Sequence, residues 1–435
     1  MKALGKPRRT SLGTSFGTSF GTSRRIAATP RLARCALALG LLLGAAGCGG
    51  GPRHSEVTIM VPWSQGEFHA FYSVIEQFEH RTGIHVNVEV TRALTQQLDA
   101  AVAGGAPPDL AMLPNPGAID QYARAHQLRP LDVATGTYVQ PFRGLATLNG
   151  KAYAVPVKAD VKSLIWYDPA AGSGKRLDAL QDLAAPEPAD WCLGLESGPT
   201  SGWPGADWIA DILLARQKPA AYAAWVSGEL RWTDRQVRDA WTTWLKMLGD
   251  GIDQATVRQF GDAAKGMTRQ PPTCSFTHGT LAAMSFADTE VAQRDYDFET
   301  STGQPLLEVS ADFVGLFTDN PGATALIGYL SGRTAQRDWV NASGGYAISA
   351  DSEVTPGLYA NPVQRRIATM LQPDSGYTLC FSAADAMKPD MAAAFYRAVL
   401  DSAAAPATLP ELLRGLQNVQ AKVGASPVST DKLCT

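Results

Sequence analysis

Apolar positions near the start of the globular part of the chain change period in a regular way. Val57–Val61 is a short apolar run that predicts a strand. Over residues 67–81, Phe68, Phe71, Tyr72, Ile75 and Phe78 recur at helical spacing, and Gly83 supplies a stop. Ile84, Val86, Val88 and Val90 then alternate with polar residues, which predicts a second strand. A helix over about residues 91–103 is broken by Ala106-Pro107-Pro108. Leu110–Leu113 reads as a buried strand, and Pro116 opens a helix running to about His126. Strand and helix in strict alternation predict βαβ units, hence a parallel sheet with helices on both faces.

Further strands are predicted at residues 152–157, 163–167 and 313–317, with helical spacing over 323–340, 391–400 and 411–419. The texture changes in the middle. Eight of the ten tryptophans fall between Trp166 and Trp244, in a stretch that reads as mostly helical and suggests aromatic surface for a ligand or partner. Passing from a first α/β lobe to an aromatic second lobe and back implies several crossings. Ligands in such folds bind at the carboxyl ends of strands and at domain interfaces.

The segment before residue 56 has a different character. Arg24, Arg25, Arg31 and Arg34 precede an apolar stretch from Ala36, which ends at Gly44-Ala45-Ala46-Gly47-Cys48. This is the layout of a secretory signal, too short to span a bilayer as a helix. Small residues before a cysteine resemble a bacterial lipobox, with Ala45 where leucine is usual. Residues 1–47 are therefore expected to be removed, with Cys48 lipidated and residues 48–55 forming a glycine-rich tether. Residues 1–47 hold eight Lys/Arg and no Asp/Glu, so the remainder carries 30 Lys/Arg against 41 Asp/Glu, a formal charge of −11. That charge argues against a nucleic-acid partner. Cys192, Cys274, Cys380 and Cys434 are an even set in an exported chain and predict two disulfides, with three connectivities open.

Enzyme and cofactor signatures are sparse. Outside the low-complexity run Gly13–Gly21 there is no Gly-x-Ser-x-Gly elbow, and the chain has no His-Glu-x-x-His helix and no Cys-x-x-Cys, so no metal or cofactor is expected. Gly172-Ser173-Gly174-Lys175 lacks the first glycine of a phosphate loop and reads as a turn. Asp288 and Glu290 imitate a carboxylate pair but read better as solvated acids.

Several stretches resemble the extracellular solute-binding proteins of carbohydrate ABC importers, especially the α-glucoside branch. They are Ala106-Pro107-Pro108-Asp109-Leu110, Pro114-Asn115-Pro116-Gly117, Val161-Lys162-Ser163-Leu164-Ile165-Trp166-Tyr167 and Trp191-Cys192-Leu193-Gly194. Thr200-Ser201-Gly202-Trp203-Pro204-Gly205-Ala206-Asp207-Trp208, Phe317-Thr318-Asp319-Asn320-Pro321 and Gly344-Gly345-Tyr346 continue the likeness, which spans nearly all of residues 56–435. The resemblance implies a two-lobed α/β fold of the periplasmic-binding-protein (Venus-flytrap) kind, hinged near residues 163–168. One lobe would comprise 56–163 plus 311–360, the other 166–308 plus 361–435. It also implies a disulfide Cys192–Cys274, with Cys380–Cys434 as the second. Val309-Ser310-Ala311 departs from the glycine-rich segment usual before the aspartate here numbered Asp312.

A sugar presents hydroxyls at its edge and C–H bonds on its face, so tryptophan faces and carboxylates suit it. On the resemblance and on position, Trp63, Ser64, Glu67, Asn115, Trp203, Asp207, Trp208, Asp312, Gly345 and Tyr346 are the expected ligand residues. Trp203 would be the stacking platform and Asp207 the hydroxyl acceptor. The implied protein is a monomer, lipid-anchored outside the cytoplasm, handing an oligosaccharide or related sugar to an ABC permease. The rivals are a receptor for another solute and a glycoside-processing enzyme using Glu67, Asp207, Asp288 and Glu290.

Overall fold

The computed structural model describes residues 56–171, 191–287, 291 and 295–435. Cys48 with the signal and tether, the glycine-rich turn at Gly172, and Asp288 and Glu290 lie outside the described residues. Strands β1 (Val57–Val61), β2 (Val86–Val90) and β3 (Leu110–Leu113) run parallel with β1 in the centre. Helices α1 (Gln65–Thr82) and α2 (Leu94–Ala103) make the crossovers, and α3 (Pro116–Arg124) follows β3. The inward side chains of α1, including Phe71, Val74, Ile75 and Phe78, are buried, and Gly83 ends the helix in the left-handed region at φ 70°. A short helix, α4 (Phe142–Leu145), and the hairpin β4 (Thr147–Leu148) and β5 (Lys151–Ala152) lead into β6 (Ala154–Val161).

A second, three-stranded sheet contains β7 (Leu164–Tyr167) between β8 (Phe276–His278) and β9 (Asp297–Thr300), all antiparallel. Lys162 and Ser163 alone separate β6 of the first sheet from β7 of the second, so the crossing lies just before the hinge expected at 163–168. Strand β10 (Leu306–Leu316) ties the first sheet together. It runs antiparallel to β3 and β6 and parallel to β11 (Thr378–Phe381). Only its far end was predicted as strand; the charge of Glu308 interrupts an apolar run that is nonetheless buried.

The tryptophan-rich segment forms α5 (Trp203–Ser227) and α6 (Arg235–Leu248). The first of these is broken at Lys218, whose φ is 70°, because Pro219 disfavours helical backbone before it. The expected helix over 323–340 is two, α7 (Pro321–Leu330) and α8 (Arg333–Val340), parted by Ser331-Gly332. Helices α9 (Pro362–Met370), α10 (Ala383–Ala386), α11 (Pro389–Ala404) and α12 (Leu409–Val423) complete the chain.

Two expectations change here. The tryptophans are core rather than surface. Trp225, Trp232 and Trp241 pack around Phe395 of α11, and of the eight in this stretch only Trp203 is more than a tenth exposed. Large apolar faces packed against one another gain more by leaving water than by waiting for a ligand. The C-terminal segment, expected to join residues 166–308 entirely, also divides its contacts. Gln364 of α9 donates to the carbonyls of Val340 and Ala347, while Arg366 beside it pairs with Asp297. Near the terminus the Lys432 ammonium donates to the carbonyls of Gly144 and Thr147. Cys192 is bonded to Cys274 and Cys380 to Cys434, closing separations of 82 and 54 residues.

Candidate functional site

Strand β6 carries charges on one face of an otherwise apolar run. Lys158 and Asp160 alternate with Val157, Ala159 and Val161, and Lys162 continues the same spacing just past the strand end. Register places Asp312 of β10 opposite Lys158 and Ser310 opposite Asp160. This charged face forms one wall of a cavity of about 300 Å³, which lies where the two sheets meet. Loops following β1, β2 and β3 supply Trp63, Arg92 and Asn115; the opposite side supplies Trp203, Phe260, Asp385 and Tyr396. Such a cleft beyond the carboxyl ends of parallel strands is where an α/β fold binds its ligand.

Two buried ammonium groups organise the electrostatics. Lys158 Nζ is 2.7 Å from Asp160, 3.0 Å from Glu67 and 4.0 Å from Asp312. Burial pulls its pKa down, but those three carboxylates outweigh it and the net displacement is upward. Lys162 Nζ is 2.9 Å from Asp207 Oδ1, 3.0 Å from Asp385 Oδ2 and 3.0 Å from Ser382 Oγ. Burial again opposes charge on Lys162, and Asp207 with Asp385 overcomes it. Burial pushes Asp312 up to about 6, more than Lys158 pulls it down, and Asp160 and Glu67 add to the rise. Asp312 Oδ2 accepts from Trp63 Nε1 at 3.0 Å, which holds both side chains in place.

Of the ten expected ligand residues, five line this cavity: Trp63, Glu67, Asn115, Trp203 and Asp312. They do so differently. Trp203 is half-buried, packed edge-on against Phe260 at 5.2 Å, with Lys162 Nζ 5.9 Å from its ring centroid. Its place at the first helical position of α5 depends on Gly202, which caps the helix at φ 104°. A Cβ there would stand 2.2 Å from the Tyr396 carbonyl oxygen, so only glycine fits. Trp63 is 3% exposed and packs on Phe71 and Trp339. Asn115 caps α3, accepting from the backbone of Gly117 and Ala118, while its amide donates to the Met387 carbonyl.

The other five occupy different places. Asp207 is 2% exposed and lies behind Lys162, not in the cavity wall; burial raises its pKa against the pull of Lys162. The structure thus makes it the partner of a lysine, not an open hydroxyl acceptor. Trp208 is core: its ring stacks on His278 at 5.0 Å and meets Trp191 edge-on. Gly345 packs against α1, where an added Cβ would fall 2.2 Å from that of Ala70. Ser64 and Tyr346 line a smaller adjoining chamber of about 260 Å³ that shares Glu67 and Phe260 with the main one. The Tyr346 hydroxyl donates to the Phe286 carbonyl at 2.9 Å. Ser310 and Ala311 do reach the cavity wall, so the departure from a glycine-rich segment bears on its shape.

Lys158, Asp160, Lys162, Arg92, Phe260, Asp385 and Tyr396 line the cavity without having been predicted. A visible signal existed for three of them. Charges at positions two apart inside a valine-rich strand cannot face a core unpaired, so Lys158, Asp160 and Lys162 must meet partners or a ligand. For Asp385 and Tyr396, on helices more than two hundred residues further on, no local pattern points to the cleft.

The model for bacterial extracellular solute-binding proteins matches residues 62–336. The chain belongs to that family. This solute-binding protein is 32% identical over 370 residues to the osmoprotective compounds-binding protein GgtB of Synechocystis sp., covering 78% of this chain and 86% of that one. It is 30% identical over 384 residues to the alpha-glucosides-binding periplasmic protein AglE of Rhizobium meliloti, covering 79% and 82%. Among solved structures it resembles the bacterial solute receptor AcbH, reported with an exclusive preference for β-D-galactopyranose, at a TM-score of 0.70 and 18% identity over 85% of this chain and 99% of that one. It also resembles maltose-bound MalE3 of T. maritima, at a TM-score of 0.62 and 14% identity over 85% and 100% of the chains. These structures establish the two-lobed periplasmic-binding-protein fold. The solute-binding family is one of binding proteins that work outside the cytoplasm.

Proposed function

We propose that this protein is the substrate receptor of an ABC importer for a small α-glucoside or related glycoside, which it closes upon and delivers to a membrane permease. The observation that carries the reading is the cleft wall: the aromatic ring of Trp203 and the carboxylates Glu67, Asp312 and Asp385 line the same cavity. Stacking on the ring and charge-assisted bonds from hydroxyls suit a sugar better than a purely apolar or anionic solute. The relative that binds alpha-glucosides supports the same class. No bond is made or broken in this reading. Ligand shifts the lobes toward closure because it contacts both, and only differential affinity can do so. A few charge-assisted bonds of about 1.5–3 kcal/mol each, with stacking, suffice for micromolar affinity near −8 kcal/mol.

The relative that binds osmoprotective compounds favours a second reading, a receptor for a glycosidic compatible solute. Calorimetry with a panel of mono- and disaccharides, glycosylated polyols and sugar-free osmolytes separates the two. Binding of an intact sugar without product formation supports a sugar receptor. Release of a cleaved product would make it an enzyme, and binding of sugar-free osmolytes alone would remove the sugar.

The mature protein is a monomer held at the membrane by lipid on Cys48. The small-residue run ending at Gly47-Cys48 and the glycines that follow support this. Cys48→Ser should release the protein from the membrane fraction. Unchanged fractionation and mass would remove the anchor.

A further inference from the structure

The polar groups of the cleft are unequally committed. Lys162 Nζ has three acceptors within 3.0 Å, as many as an ammonium has N–H bonds. Lys158 Nζ donates to Asp160 at 2.7 Å, pairs with Glu67 at 3.0 Å and lies 4.0 Å from Asp312. At the mouth, Arg92 donates to the Pro62 carbonyl and to Ser197 Oγ, and its guanidinium lies over Phe260. The carboxylates keep acceptor capacity instead. Asp312 and Asp385 each engage one oxygen with protein, and Glu67 bonds through Oε1, leaving the second oxygen of each without a protein partner among the described residues. Their side chains are 15%, 19% and 24% exposed, and all three line the cavity.

Charge tells the same story. Glu67, Asp160, Asp312 and Asp385 line the cavity with Lys158, Lys162 and Arg92, and Asp207 stands directly behind Lys162. Glu308 lies outside the cavity wall, and burial raises its pKa above the usual carboxylate range. Five carboxylates thus face three cations in a site with low-dielectric walls. An entering anion meets a net negative surplus, although Arg92 uses only two of its five N–H groups, whereas a donor meets free carboxylate oxygens.

We propose that the cleft selects α-glucosides by charge: it accepts neutral ones and those carrying a protonated amine, and rejects those carrying a carboxylate or phosphate. This rests on the α-glucoside reading above. The free oxygens of Asp312, Asp385 and Glu67 receive the ligand's hydroxyl or ammonium protons. Lys162 holds Asp385 in place, and Lys158 pairs with Glu67 beside Asp312.

The test uses four ligands of one shape: maltose and its derivatives bearing, at C6 of the non-reducing ring, an amine, a carboxylate or the isosteric carboxamide. Titration calorimetry on the full mature protein at pH 7.5 reads their affinities. The carboxamide controls for the bulk of the carboxylate. The carboxylate should bind more than about 100-fold more weakly than the carboxamide, the scale of a like-charge juxtaposition in a closed site. The amine should bind at least as tightly as maltose, with affinity that falls as salt is raised. Asp385→Asn should narrow the gap between carboxylate and carboxamide by lowering the surplus. Equal binding of the carboxylate and carboxamide overturns the proposal, as does loss of the amine alone. If none of the four binds while another sugar does, the inference fails and the sugar reading stands. If no sugar binds at all, both fall.

Discussion

The Lys162 ammonium and the Asp207 carboxylate meet at 2.9 Å where the chain passes from the first sheet to the second. Both side chains are less than a tenth exposed, and Ser163 beside them donates to Asp211 Oδ1 at 2.5 Å while accepting from the Glu308 amide at 2.7 Å. His278 of β8 and Ser301, just past β9, also bond to Asp211. A buried polar network at a crossing fixes its backbone, because each alternative geometry would leave a charge or hydroxyl unpaired.

Asp207→Asn should therefore weaken the fold. It removes one of two carboxylates from a buried lysine, and Asp385 remains to compensate part of the charge. A loss of about 1–3 kcal/mol in denaturant unfolding is expected. Were Asp207 a direct ligand acceptor, affinity would fall with unfolding unchanged. That outcome would contradict the placement seen here.

Trp203→Ala should behave in the opposite way. The ring is half-buried at the cleft edge, so its removal should cost about 1–3 kcal/mol of ligand binding, by analogy with bases stacked on aromatic residues. Gly202→Ala should reproduce much of that loss without touching the ring, since the new Cβ would displace the start of α5 from Tyr396. Calorimetry on both variants checks the pair. Normal sugar affinity in Trp203→Ala would exclude it as the stacking platform.

The contrast between these neighbours shows how much could be read from the sequence. That the tryptophan-rich stretch is mostly helical is evident from the sequence, though the Gly/Pro-rich run from Gly202 to Gly205 reads as a loop and is in fact the start of α5, and the β1–α1–β2–α2–β3 order follows from periodicity. Which face of α5 looks at the cleft is not evident, because apolar residues surround nearly all of its first half. Trp208 and Asp207 are turned inward by partners from distant segments, His278 and Lys162. Asp312 is legible from the resemblance, just ahead of the strand predicted at 313–317, and its cross-strand partner Lys158 lies just past the strand predicted at 152–157. Asp385 and Tyr396 reach the site only through the packing of the C-terminal helices. Tertiary packing of that kind leaves no local period.

Asp312 should make ligand binding and stability respond to acid in opposite senses. Its pKa in the folded protein is raised to about 6 from 3.8, so between those values the native state holds a proton that the unfolded chain has lost. Stability from this group is thus fully present below about pH 3.8 and is lost as pH rises through 6, a span worth at most about 3 kcal/mol. The stability of wild type relative to Asp312→Asn should increase as pH falls from 7 to 4. Affinity for a neutral sugar should decrease over the same interval in wild type, because a protonated carboxyl is a weaker acceptor, and should change less in the variant. Urea melts and calorimetry at four or five pH values measure both. A stability difference independent of pH would remove Asp312 as the titrating group.

Arg92 and Ser197 join the two sides of the cleft mouth through a 2.7 Å hydrogen bond, with the guanidinium 5.5 Å from the centre of the Phe260 ring. Arg92 follows β2 of the first sheet, whereas Ser197 and Phe260 belong to a segment held together by Glu196, whose amide donates to the Arg258 carbonyl and whose carbonyl accepts from the Phe260 amide. A contact of this sort favours the closed arrangement whether or not ligand is present. Arg92→Ala should shift the ligand-free population toward open forms, seen as a larger radius of gyration in solution scattering. It should also weaken apparent affinity by the fraction of closed form lost, about 2- to 10-fold for a single partly exposed charge-assisted bond. The dissociation rate should carry most of that change, since the bond forms only after the lobes meet. Ligand at saturation should restore the wild-type radius. A variant whose ligand-free radius and dissociation rate both match wild type would show that the bond follows closure without contributing to it.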